Sequence, residues 1–331
     1  MRSCIQRYRQ QATRSGMAGF SMVEMMISIT IGLVIVAALV GVLTGSSGNT
    51  KTNDRTSELQ SNGRYALDHL KRELRQAGYR GYTWAEPNTP TTILTPITNE
   101  CLGSGAAASA FVANLRQGVW GANDSNPFTT SCLPTQRLRG DILVVRRVAS
   151  TPLSGNSVNN TFYFRSSYAI GEIFKASGAA ALAGSPVLTG APTPQADFAV
   201  QEYVYYIGSD DNDATLPALR RVALSASAMV DEMVVSGIEH LQVQYGRFDT
   251  ASNTQYYNAD SISGSSADSP TTLTTYAWDE VNSVRIWLLA RTSKIEIGYT
   301  NTTSYAMGDL TYTVNDNFRR QLFTAVVQLR N

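Results

Sequence analysis

Histidine and cysteine are scarce in this chain: two histidines (His69 and His240) and three cysteines (Cys4, Cys101 and Cys132) among 331 residues. No Cys/His spacing suits a zinc site, no glycine-rich loop suits a phosphate, and no serine sits in a strand–turn–helix elbow. Enzyme classes that depend on these patterns find no footing. His69, between Asp68 and Lys71, reads as a surface residue of an amphipathic helix, and His240 opens a strand. An excess of either charge is also missing. Lys and Arg number 27 against 26 Asp and Glu, a net +1, which is no polyanion-binding signature. The adjacent pairs Arg146-Arg147, Arg220-Arg221 and Arg319-Arg320 fall in strand-like runs, where neighbours point to opposite faces. They read as solvated strand edges, and no nucleic-acid partner is expected.

Charge is most conspicuously lacking near the N-terminus. From Phe20 to Thr50 the only ionisable side chain is Glu24. Before it, Met1 to Gly19 holds four arginines, Arg2, Arg7, Arg9 and Arg14, and no acid. After it, Met25 to Leu43 is an apolar run of 19 residues, about 28 Å as a helix and so roughly the hydrocarbon thickness of a bilayer. The arginines predict that the N-terminal end stays cytoplasmic and that the rest crosses. A secretory signal peptide has a shorter apolar core and a cleavage site beyond it, whereas the best site here, Ala18-Gly19, precedes the core. A plain signal anchor would not need an acid at the helix entrance, because a charge in lipid is costly unless it finds a partner.

The order Gly19-Phe20-Ser21-Met22-Val23-Glu24, behind a basic leader and ahead of an apolar run, resembles the class III signal of type IV prepilins. In type IV pilins and the related secretion pseudopilins, a membrane peptidase cuts after the Gly and N-methylates the new N-terminal Phe. The Glu then pairs with the terminal amine of a neighbouring subunit. The resemblance therefore implies cleavage after Gly19, N-methylation of Phe20 and an assembly role for Glu24. Loss of the leader takes its four arginines, leaving 23 basic and 26 acidic residues, a net of −3.

Beyond the anchor, Gly45-Ser46-Ser47-Gly48-Asn49 interrupts the helical pattern, a candidate kink. Apolar residues then recur at Leu59, Ala66, Leu67, Leu70, Leu74 and Ala77, the spacing of an amphipathic helix with one face on a core, with Gly78 as its C-cap. From Tyr79 the chain changes character. Runs at 141–148, 161–170, 201–208, 218–224, 240–248, 283–292 and 320–330 are rich in Val, Ile, Tyr and Phe, and read as antiparallel strands. Met229 to Ile238 reads as a turn followed by strand. Three segments, 85–136, 175–198 and 249–276, read as long loops. The fold expected is α+β: a leader (1–19), a long helix (20–78, anchor 25–43, amphipathic part 49–77) and a β-rich head (79–331).

With Cys4 in the leader, Cys101 and Cys132 are the remaining cysteine pair in a head expected in an oxidising compartment. They lie 31 positions apart, and a disulfide there would remove about 3–4 kcal/mol of unfolded-state freedom. Asp210, Asp211 and Asp213 form an acidic cluster just past a strand. They are weak calcium candidates, since the full 12-residue loop pattern with its central Gly and terminal Glu is missing; an acidic turn is the simpler reading. Sixteen tyrosines are read as strand residues with one wet end. No cofactor is expected.

Three head segments, Gly237-Ile238-Glu239-His240-Leu241-Gln242-Val243-Gln244-Tyr245-Gly246, Val281 to Arg291 and Phe323 to Asn331, resemble the PilW-type minor pilins, as does Arg64 to Tyr79 at the helix end. This resemblance implies a minor subunit that primes or caps type IV pilus assembly by subunit packing, not a catalyst. Its partners would be other minor and major pilins, the prepilin peptidase, the inner-membrane assembly platform and, before assembly, the inner membrane itself. The head would be periplasmic first, then at the cell surface near the pilus tip. A J-type pseudopilin of type II secretion shares the plan and is the nearest alternative; a membrane-anchored periplasmic binding or enzyme domain is the more distant one.

Overall fold

A computed structural model describes residues 19–84, 97–99, 101–102, 111, 114–133, 137–176, 188, 190, 193–249, 251–262 and 278–330, with Asn49 described by its backbone alone. The leader through Ala18 and much of the three expected loops lie outside these residues. The chain divides after Asn53 into two units.

One helix, α1 (Met22–Gln76), crosses the dividing point. The residues at 45–49, expected to interrupt the pattern, are helical throughout. Two glycines cost about 1 kcal/mol each relative to alanine, a penalty that a cooperative helix can carry. Hydroxyls also tie down the turns here: Thr44 Oγ1 donates to Val40 O at 2.9 Å and Thr50 Oγ1 to Ser46 O at 3.0 Å. The helix ends where expected. Gly78 takes φ 76°, the left-handed conformation that suits glycine after a helix, and Ala77 N donates to Leu74 O at 3.1 Å.

The second unit, Asp54–Asn331, holds the last part of α1 and the strands. In chain order these are β1 (Val119–Ala122), β2 (Arg139–Val148), β3 (Phe162–Ser166), β4 (Gly171–Lys175), β5 (Ala196–Ser209), β6 (Pro217–Ser225), β7 (Ala228–Ser236), β8 (Ile238–Phe248), β9 (Thr254–Tyr257), β10 (Ser283–Arg291), β11 (Ser304–Met307), β12 (Leu310–Thr313) and β13 (Arg320–Gln328). One sheet runs β1-β2-β5-β3-β4 with β6 and β7 added alongside β5; a second runs β13-β10-β8-β9; β11 and β12 form a hairpin. The named pairings are all antiparallel. At 14 residues, β5 is long enough to serve two sets of neighbours: its start pairs with β3 and its end with β6.

The α+β plan holds, while several local readings change. The run 161–170 is β3 followed by a turn at 167–170, not one strand. The expected loop 85–136 contains β1, and 249–276 contains β9 and a short 3-10 turn at Ala259–Ser261. The β11–β12 hairpin lies outside the expected runs; its strands have four residues each and are largely exposed.

The core lies between the strands and one stripe of α1. Leu59, Ala66, Leu70, Leu74 and Ala77 join Val148, Tyr205, Leu241, Ile286 and Phe323 in one buried cluster. The stripe has a gap at Gly63, where a Cβ would lie 2.1 Å from the Phe323 ring; the missing side chain is what lets that ring reach the helix.

Candidate functional site

Ser21 precedes the first turn of α1, and its carbonyl accepts from Met25 N at 3.0 Å. Glu24 lies in that first turn, where the positive end of the helix dipole favours a carboxylate. Ser21-x-x-Glu24 has capping-box spacing, a signal that the sequence reading passed over. The Glu24 side chain is exposed and has no hydrogen bond or ion pair among the described residues; its backbone carbonyl takes the Ser28 hydroxyl at 2.8 Å. Phe20 is 79% exposed, and Gly19 is exposed beside it. The apolar residues that follow are bare on every side: the most apolar 18-residue window has mean hydropathy 2.7 and none of it is buried. A helix that is apolar all round needs lipid or other helices about it. Gly19, Phe20 and Glu24 therefore occupy one short stretch at the entrance of such a helix.

The charged groups of the head show the opposite pattern. Arg146 and Glu202 are wholly buried and pair at 2.7 Å, with the Arg146 guanidinium 4.5 Å from the Phe111 ring centroid. Arg147 binds Glu73 of α1 at 2.9 Å, and Arg220 holds Asp231 and Asp211, each at 2.6 Å. Arg320 joins Glu239 at 2.5 Å and Asp316 at 2.6 Å, while Arg139 and Arg291 approach Glu239 at 3.8 Å. The basic pairs are thus not solvated strand edges. Arg146, Arg147, Arg220 and Arg320 are buried side chains, and the half-buried Arg221 and Arg319 hold Glu232 and Glu296. Pair spacing correctly sent neighbours to opposite faces, but at these positions both side chains are at least half-buried and ion-paired.

His69 also departs from expectation. It is half-buried, and its Nε2 lies 3.0 Å from Tyr205 Oη; burial lowers its pKa. Asp141 on β2 is inconspicuous in the sequence and strongly perturbed in the head. Its two oxygens accept from Asp124 N at 3.0 Å and Val243 N at 2.7 Å, linking β2 to β8 of the other sheet. Burial pushes its pKa up to about 7. The Glu202 carboxyl is likewise raised to about 7 by burial, against the pull of Arg146.

The acidic turn is satisfied from within. Asp210 Oδ1 accepts from Asn212 N at 2.8 Å, Asp211 receives Arg220, and Asp213 Oδ1 accepts the Thr215 hydroxyl at 2.6 Å. The three carboxylates thus turn to separate donors, and no cluster of three His, Cys, Asp or Glu suited to a metal occurs among the described residues. Cys101 and Cys132 form a disulfide, their Cα atoms 4.6 Å apart, both buried in the core.

Two family models match the chain. Residues 14–40 match the prokaryotic N-terminal methylation motif, and residues 204–331 match the type IV pilus-assembly protein W family, PilW. No curated protein and no solved structure matches it. The methylation match spans Gly19, Phe20 and Glu24; the PilW match runs from the middle of β5 through β13. Together they support inner-membrane anchoring followed by incorporation into a pilus, and a structural role.

Proposed function

We propose that this chain, a type IV pilus minor pilin of the PilW family by its two matches, is cut after Gly19, methylated at Phe20 and built into a pilus, where it primes or caps assembly near the tip. It works by packing against other subunits rather than by turning over a substrate. Before assembly the apolar helix holds it in the inner membrane with the head on the periplasmic side.

The observation that carries this reading is Glu24, a carboxylate without a partner among the described residues, at the mouth of an apolar helical segment of which nothing is buried. Leaving such a charge unpaired in a low-dielectric bundle is costly. The amine released when the chain is cut after Gly19 is the complementary charge, and one from a neighbouring subunit would satisfy Glu24 and set the docking register. The flanking Met, Ile, Val and Leu side chains supply the apolar packing.

The test is the intact mass and N-terminal peptide of the protein from its native membrane, alongside Glu24→Ala. The expected chain begins at N-methylated Phe20, and Glu24→Ala is inserted and cleaved but assembles poorly. A chain that still carries Met1 to Gly19 in cells with active prepilin peptidase would overturn the reading. Normal piliation with Glu24→Ala would remove the role given to that carboxylate.

A further inference from the structure

Every strand arginine of the head but one has an acidic partner among the described residues. The exception is Arg285, in the middle of β10, which makes no hydrogen bond or ion pair with them. Its guanidinium carbon lies 3.9 Å from the centroid of the Tyr256 ring and 5.7 Å from that of Trp287. Aromatic contact takes the flat faces of a guanidinium and leaves its N–H edge for planar recognition of a carboxylate.

The surroundings look built for contact. On β10, Val284, Ile286 and Leu288 are fully buried, so Arg285 and Trp287 lie on the opposite face of the sheet, which is covered at Leu289 and Gln242 and half-open at Arg285. Register places Gln244 and Val326 beside Arg285, and Thr324 beside Trp287. Thr324 is exposed and Val326 is 56% exposed. Gly246 makes room for the aromatic contact: a Cβ there would lie 3.1 Å from the Tyr256 ring and 2.2 Å from Ser283 Oγ. Half-buried Trp, Tyr and Arg side chains, with a β-branched residue and neutral amides around them, match the composition of protein-interface hot spots.

We propose that this sheet face, centred on Arg285, docks a neighbouring pilin-class subunit that presents an aspartate or glutamate side chain to the guanidinium. The inference rests on the pilin reading above and adds the surface and the partner's chemistry. Charge complementarity selects the occupant: one half-buried cation without an acid among the described residues calls for one carboxylate. A nucleic-acid strand would call for a row of cations, and the other strand arginines are already ion-paired.

The experiment places a photo-crosslinking amino acid at Thr324 in the full-length protein, in cells that assemble it. The expected adduct is with another pilin-class chain, mapped by mass spectrometry to a peptide containing an acid. Arg285→Glu should lower its yield roughly tenfold or more, and Arg285→Gln should lower it less. Changing the mapped partner acid to Arg should restore the yield of Arg285→Glu. Thermal melts of both variants guard against misfolding, and Arg285→Gln carries the test if Arg285→Glu melts early. An unchanged yield with Arg285→Gln and Arg285→Glu would overturn the proposal, as would an adduct only with nucleic acid or lipid, or none at all. Cleavage after Gly19, read from the same samples, separates this result from the pilin reading: normal cleavage with an unchanged adduct would sink the surface alone.

Discussion

The residues of α1 before Asn53 and those after it face different requirements. In the first stretch Ile, Leu and Val point to every side and none in the apolar window is buried. In the second, one stripe at three- and four-residue spacing is driven into the head, with Leu70 and Leu74 fully covered. The charges divide in the same way. In the head nearly every strand arginine has found an acid, whereas Glu24 has none among the described residues. One helix thus carries a segment completed by its own chain and another that needs other molecules to complete it. Hydrophobic burial does not distinguish the two; what differs is whether the covering surface comes from the same chain.

The sharpest way to break this comparison is to place an acid in each part. Leu70→Asp buries an unpaired charge in the core and is expected to leave no folded head in circular dichroism or thermal melts. Leu39→Asp should leave the melt of the head unchanged and instead impair membrane insertion or assembly. Equal effects of both on the head would erase the distinction.

A smaller effect is expected inside the head at Arg146 and Glu202. Glu202→Ala alone strands a buried guanidinium and should cost about 3–5 kcal/mol in denaturant unfolding. The double variant Arg146→Met with Glu202→Leu should recover most of that loss, because no buried charge is left without a partner. A double variant as unstable as the single would mean that the pair's own attraction dominates.

A smaller effect again is expected from pH. Asp141 titrates at about 7 in the folded state, against about 3.9 for an unfolded aspartate. Between those values the folded protein keeps a proton that the unfolded chain releases, so this group makes stability fall as pH rises across the window. Glu202 acts in the same direction. Melts at pH 5 and pH 8 should therefore favour pH 5 in this contribution, and Asp141→Asn should reduce the difference without abolishing it. A difference that is unchanged in Asp141→Asn would refute the assignment.

The smallest effect is expected at the acidic turn. Asp213→Asn weakens one local bond to Thr215 and should not measurably move the melting midpoint, with or without millimolar calcium. A calcium-dependent rise in the wild-type midpoint that vanishes in Asp213→Asn would restore the metal reading of this turn.

What could be read from sequence follows from how local each signal is. The Gly-Phe…Glu order, the apolar run, the stripe from Leu59 to Ala77 and the Gly78 cap all depend on neighbours within a few positions, and these features were legible. Strands with apolar alternation were found as well. The β11–β12 hairpin was not, because its strands are only four residues long, and β1 was hidden among Gly, Ser and Asn. His69 was misread because its partner, Tyr205, lies 136 positions away.

Local pattern alone identifies a helix near the N-terminus that cannot satisfy itself: nineteen uncharged, mostly apolar residues and one acid, Glu24, at their entrance. Which charges of the head are spent, and which remain, emerges only once the strands are paired. Arg146 meets Glu202 across 56 positions, Arg147 meets Glu73 across 74, and Arg320 meets Glu239 across 81. Pairings over such distances are set by strand register and sheet packing, which depend on the whole chain at once. The same register leaves Arg285 without an acid among the described residues.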